Sequence, residues 1–148
     1  MMSMFTSTGS CPTIYGPVSS RRHGLSLGVN LGAVDKKICT WRCVYCQCGM
    51  GEHRDFKTGD LLPSRKEVLK LLEKELQMQS DIQSVTFAGN CEPTTHPEFL
   101  EIVENVIEFR KKTKSTWKLV VLSNGSELDR KDVIKGLNQV DEAWIKLD

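Results

Sequence analysis

Three features of the chain predict an α/β fold with a parallel sheet. Apolar, strand-like runs alternate with segments whose apolar residues recur at helical intervals, in the order β-α-β-α-β-α-β. Lys118-Leu119-Val120-Val121-Leu122 is a continuous apolar run, as expected of a strand buried on both faces. Polar or glycine-containing stretches follow the strands, where parallel sheets collect their ligand sites. Such an order calls for right-handed crossovers between strands.

Taken in order, residues 1–24 are rich in Ser, Thr, Gly and Pro and read as an irregular lead-in, with residues 25–148 forming the core domain. Arg21 and Arg22 are either solvated loop charges or a clamp for a phosphate or carboxylate. Leu25-Ser26-Leu27-Gly28-Val29-Asn30-Leu31 alternates as a half-buried strand does. Gly32 to Lys37 is polar enough for a turn, or a short hairpin if Ile38 resumes the strand. The stretch from Gly49 to Asp55 is flexible and polar, and His53 reads as a surface histidine.

Ser64 and Glu67 form a capping box ahead of Val68, Leu69, Leu72 and Leu76, so a helix covers about Ser64 to Gln79. Ser84-Val85-Thr86-Phe87-Ala88 is the second strand. Thr95 or His96 caps a second helix with Phe99, Ile102, Val103 and Val106 on one face. Arg110, Lys111 and Lys112 at its end suit the helix macrodipole rather than a nucleic-acid patch. After the third strand at 118–122 come a helix at about Asp129 to Leu137 and a fourth strand from Ala143 to Leu147.

With 148 residues the chain can bury one hydrophobic core, and its composition is that of an ordinary globular protein. A formal net charge of +1 does not by itself argue for nucleic acid or for any strongly charged partner. No apolar run approaches membrane-spanning length and no h-region follows Met1, so no membrane partner is expected. The six cysteines, Cys11, Cys39, Cys43, Cys46, Cys48 and Cys91, would suggest disulfides in a small secreted protein. Four of them crowd into ten residues, which makes a reducing cytoplasm the expected compartment.

Cys39, Cys43 and Cys46 stand in a C-x3-C-x2-C run after the first strand. Taken alone, the loop fits a closed zinc or electron-transfer site with Cys48 as fourth ligand. It fits equally a [4Fe-4S] cube on three thiolates, whose open iron can chelate a small molecule. Gly89-Asn90-Cys91-Glu92-Pro93 follows the second strand, Ser123-Asn124-Gly125 the third and Asp148 the fourth. In a parallel sheet these stretches converge on one face. Each also has a plain reading: Glu92 and Pro93 start a helix, and Ser123-Asn124-Gly125 is a turn.

The cysteine run with Tyr45 before its third cysteine, Gly89-Asn90-Cys91-Glu92 and Ser123-Asn124-Gly125 resemble the motifs of the radical S-adenosylmethionine (radical SAM) superfamily. Gly16-Pro17-Val18, Ser20-Arg21-Arg22, Ser26-Leu27-Gly28, Glu92-Pro93-Thr94 and His96-Pro97 are more narrowly similar to the branch related to wyosine-type tRNA synthetases. The resemblance implies a partial (β/α) TIM-like barrel and a [4Fe-4S] cluster on Cys39, Cys43 and Cys46. It implies S-adenosylmethionine held by Gly89, Asn90, Cys91, Glu92 and Pro93 at its methionine end. Ser123, Asn124 and Asp148 would hold the ribose, and Tyr45 would pack against the adenine. The activity implied is reductive cleavage to a 5'-deoxyadenosyl radical, with an external donor such as flavodoxin or ferredoxin and a tRNA base as substrate.

Two features depart from the family pattern. Cys91 stands where the branch usually has glycine, and the chain carries four strands where members generally have six β-α units. The exposed edge of the last strand is therefore expected to meet further strands of a longer protein, a second chain or another copy. An inactive fragment needing such a partner is the remaining alternative.

Overall fold

The computed structural model describes residues 9–147, so Asp148 lies outside the described residues. The strands are β1 (Ile14–Ser20), β2 (Gly24–Val29), β3 (Ile38–Cys39), β4 (Glu52–His53), β5 (Ser84–Phe87), β6 (Lys118–Ser123) and β7 (Glu142–Ile145). The helices are α1 (Arg65–Met78), α2 (Phe99–Lys112) and α3 (Lys131–Leu137). Five strands make one sheet in the order β1-β2-β5-β6-β7. β2, β5, β6 and β7 run parallel, and β1 pairs antiparallel with β2 at the edge. The expected α/β order is present as a partial β/α barrel.

The lead-in is not irregular throughout, because residues 14–20 form β1. Gly16-Pro17 disguises it: proline donates no ladder hydrogen bond and is confined to edges and bulges. β1 meets both conditions, being an edge strand whose register shifts between Tyr15 and Val18.

Alternation along the strands divides the sheet into two faces. Leu27, Val29, Val85, Phe87, Leu119 and Val121 pack into the core with Val68 and Leu72 of α1, Phe99, Ile102, Val103 and Val106 of α2, and Val133 of α3. Each such side chain contributes about 1.5–3 kcal/mol by leaving water. The residues between them, Ser26, Gly28, Thr86, Ala88 and Leu122, line a cavity on the opposite face.

Helix α1 starts as expected, with Ser64 accepting from the Glu67 amide at 3.3 Å. Helix α2 starts later than Thr95 or His96 would set it. Pro93–Thr95 form a 3-10 turn, and the cap is Glu98, whose amide donates to the His96 ring nitrogen Nδ1 at 3.0 Å. The basic end of α2 has a further partner, since Arg110 pairs with Asp141 ahead of β7 and donates to the Trp117 carbonyl at 3.1 Å. β7 spans Glu142–Ile145 rather than Ala143 to Leu147, although the Lys146 amide still donates to the Ser123 carbonyl at 2.9 Å. No described helix is long and apolar enough to cross a membrane.

Candidate functional site

The cysteine loop leaves the sheet after β2 and is pinched at its base. Ile38 and Cys39 pair in parallel with Glu52 and His53, and the Glu52 and Arg54 amides donate to the Lys37 and Cys39 carbonyls at 3.0 and 3.2 Å. His53 is exposed and its Nε2 meets the Thr40 carbonyl at 2.6 Å, so its role is to close the loop. Arg54 forks onto both oxygens of Asp60 at 2.8 and 2.9 Å, holding the return of the loop.

The loop lies over a cavity of about 480 Å³ at the carboxyl ends of the parallel strands. Cys39, Cys43, Tyr45 and Cys46 line it from the loop; Gly89, Asn90, Cys91 and Glu92 line it from beyond β5, and Ser123 and Asn124 from the end of β6. Pro93 is buried in the 3-10 turn and does not line the cavity.

Much of the polar capacity around this cavity is already engaged. Buried Glu92 accepts at Oε1 from Thr94 Oγ1 at 2.6 Å, Ser123 Oγ at 2.7 Å and the Thr94 amide at 3.3 Å, and at Oε2 from the Asn124 amide at 2.6 Å. It therefore ties the tip of β5 to the tip of β6. Asn124 Oδ1 accepts from the Ser126 amide at 2.9 Å, and its Nδ2 donates to Thr40 Oγ1 at 3.0 Å, reaching the cysteine loop.

Asn90 is spent on the scaffold. Its Nδ2 donates to the carbonyls of Gly9, Ala33 and Lys36 at 2.8, 2.9 and 3.2 Å, while its buried Oδ1 has no partner among the described residues. A Cβ on Gly32 would lie 2.5 Å from Asn90 Oδ1 and 2.9 Å from Cys91 Sγ, so glycine is needed there for the chain to pass. Burial pushes the Cys91 thiol well up. Tyr45 is half exposed, and Lys146 Nζ sits 4.9 Å from its ring centroid.

The thiols differ. Burial pushes Cys46 up, but a hydrogen bond from Lys37 Nζ at 3.0 Å and the Cys48 amide outweigh it and bring that thiol below the ordinary value. Burial raises Cys39, partly offset by the Trp41 amide. Burial and the neighbouring Cys46 push Cys48 up to about 12, and its thiol donates to the Gly89 carbonyl at 3.2 Å.

Among the described residues, no three His, Cys, Asp or Glu side chains close round a single metal ion. A zinc ion draws thiolates to about 2.3 Å, whereas an iron-sulfur cube takes them over a wider body. Cys39, Cys43 and Cys46 line one roomy cavity together with Cys48 and Cys91, and with Cys48 occupied as a donor to backbone the first three suit the cube. Lys37, Tyr15 and Lys146 also belong to this region but lie outside any motif, and Thr40 is a spacer within the cysteine run; Lys37 precedes the first cysteine by two residues, its only signal in sequence.

A family model described as the radical SAM superfamily matches residues 36–147, from the approach to the cysteine loop to just past the last strand. The chain belongs to the radical SAM superfamily. This radical SAM chain is 34% identical over 139 residues to a UPF0026 protein of Synechocystis sp., covering 93% of this chain and 48% of that one. It is 31% identical over 138 residues to a UPF0026 protein of Helicobacter pylori, covering 93% and 42%. A UPF0026 protein of Methanocaldococcus jannaschii is 29% identical over 136 residues, covering 90% and 40%. The radical SAM chain thus spans less than half the length of these curated relatives. They carry the name UPF0026, not that of a wyosine-type synthetase. No solved structure matches.

Proposed function

We propose that the chain, alone or joined to further barrel strands, holds a [4Fe-4S] cluster on Cys39, Cys43 and Cys46 and cleaves S-adenosylmethionine reductively. The observation that carries this reading is the meeting of those cysteines with Gly89, Glu92, Ser123 and Asn124 in one cavity at the strand ends. When bound, the cluster would supply the electron that splits the sulfonium bond, giving methionine and a 5'-deoxyadenosyl radical for hydrogen abstraction.

The chain's own residues bind and orient. Oε2 of Glu92 accepts from one donor and keeps capacity for the methionine ammonium, with strand-end carbonyls as its neighbours. Asn124 and Ser123 are held by Glu92 at the ribose end, and Asn124 keeps an amide hydrogen beyond its bond to Thr40. Tyr45 supplies an aromatic face at the mouth of the cavity. Cys91 narrows the approach where glycine would leave it open. Pro93 sets the turn that aims Glu92, and Asp148 would add a ribose partner past β7.

The finer reading, a tRNA base as substrate, rests on the likeness to the wyosine-type branch. An external flavodoxin- or ferredoxin-like donor supplies the electron in this scheme.

The test is anaerobic reconstitution with iron and sulfide, an iron and sulfide count, and assay for 5'-deoxyadenosine after dithionite and S-adenosylmethionine. About four irons per chain, as one cube requires, together with that product is the expected result; zinc without a cluster would sink the reading. Cys46→Ser should lose the iron and Cys48→Ser should keep it. Equal loss from both would instead favour a closed four-cysteine site.

A further inference from the structure

Lys37 is only 6% exposed, unusual burial for a lysine. Two glycines make room for it. A Cβ on Gly9 would fall 2.7 Å from Lys37 Cβ, and one on Gly51 would fall 2.6 Å from the same atom. Gly9 also has φ of +72°, where a side chain is strained. From this cradle Nζ donates to the Gly49 carbonyl at 2.6 Å and to Cys46 Sγ at 3.0 Å.

The neighbouring Lys36 pairs with Glu52, yet no described carboxylate pairs with Lys37. Burying an ammonium without a counter-anion is costly. The sulfur of Cys46, in a loop of four cysteines, is the anionic partner that the fold provides. Hydrogen bonds to cluster sulfurs are one of the levers that set iron-sulfur potentials, and outer partners of metal ligands tune the metal.

We infer that Lys37 is a positioning residue that hydrogen-bonds the Cys46 sulfur in the cluster-bound protein and raises the reduction potential of the cluster; this rests on the proposed function. Uptake of one electron adds one negative charge to the cluster and its thiolates. A cationic donor at 3.0 Å from one of those sulfurs favours the more negative, reduced form. The buried, desolvated setting strengthens that preference. Gly49 holds the ammonium in place, so the same side chain closes the loop after Cys46.

The experiment is a mediated potentiometric titration of the reconstituted full chain, following the electron paramagnetic resonance signal of the reduced cluster, with iron and sulfide counted in each sample. Lys37→Met is expected to keep its iron and to hold about tenfold less reduced relative to oxidised cluster at a fixed potential, a shift of about 59 mV for one electron. Lys37→Arg, which keeps the cation, is expected to stay near the wild-type value. If Lys37→Met loses iron, Lys37→Gln takes its place, keeping a neutral donor for Gly49 and the same expected shift.

An unchanged midpoint in the neutral variant with cluster intact overturns this inference alone, as does an arginine variant shifted as far as the methionine one. A wild-type chain that takes up no cluster overturns the proposed function and this inference together.

Discussion

Both ring nitrogens of His96 are assigned by their neighbours. Nδ1 accepts from the Glu98 amide at 3.0 Å, so the proton must sit on Nε2, which meets the Pro63 carbonyl at 2.9 Å. The neutral ring thus holds the cap residue of α2 and ties it to the lead-in of α1. Burial holds its pKa below 6.5, so the unfolded chain binds the proton more readily than the native one. Stability is full above pH 6.5, falls as pH drops from there towards the folded value, and levels off below it. Urea midpoints at pH 7.5 and 5.5 should therefore diverge more in the native sequence than in His96→Gln, which cannot titrate. Equal divergence would mean the ring is not buried neutral.

At the scale of elements, the β1–β2 hairpin depends on one small residue. A Cβ on Gly28 would lie 2.2 Å from Cζ of the Tyr15 ring, which crosses the strand at that point. Gly28→Ala must push the ring out or part the strands, an overpacking worth about 1–3 kcal/mol. In urea unfolding, the same change made in a Tyr15→Ala background should cost clearly less; strict additivity would show that the ring does not press on Gly28. This is also where sequence patterns were least legible. The alternation of Leu25 to Leu31 predicted β2, whereas Gly16-Pro17 hid β1, because a bulged edge strand tolerates residues that a central strand rejects. The start of α2 differs from the sequence reading because Pro93–Thr95 take up a 3-10 turn, leaving Glu98 at the cap with its amide held by the His96 ring, which only the setting shows.

Across the whole molecule, helices cover one face of the sheet, and β7 ends it with an edge that no described strand pairs. Unpaired edges recruit other strands, most readily when net charge does not keep copies apart. The formal charge is +1 and the isoelectric point is about 7.6. Light scattering of the chain is therefore expected to peak near pH 7.6, and Ala143→Lys, which places a charge on exposed β7, is expected to lower that peak. A peak untouched by this change would place the association elsewhere.

The amino-acid sequence by itself determined the β-α order and the positions of Cys39, Cys43 and Cys46. It also placed Glu92 and Asn124 at strand ends, because periodicity and spacing are local properties that the chain carries openly. Only the tertiary structure decided how those groups are used. Asn90, by motif a cofactor contact, spends its amide on the carbonyls of Gly9, Ala33 and Lys36. Lys37, by pattern a turn residue, lies buried against Cys46. Burial and hydrogen-bond partners are set by segments far apart in the chain, and they determine whether a polar group faces a ligand or the protein itself.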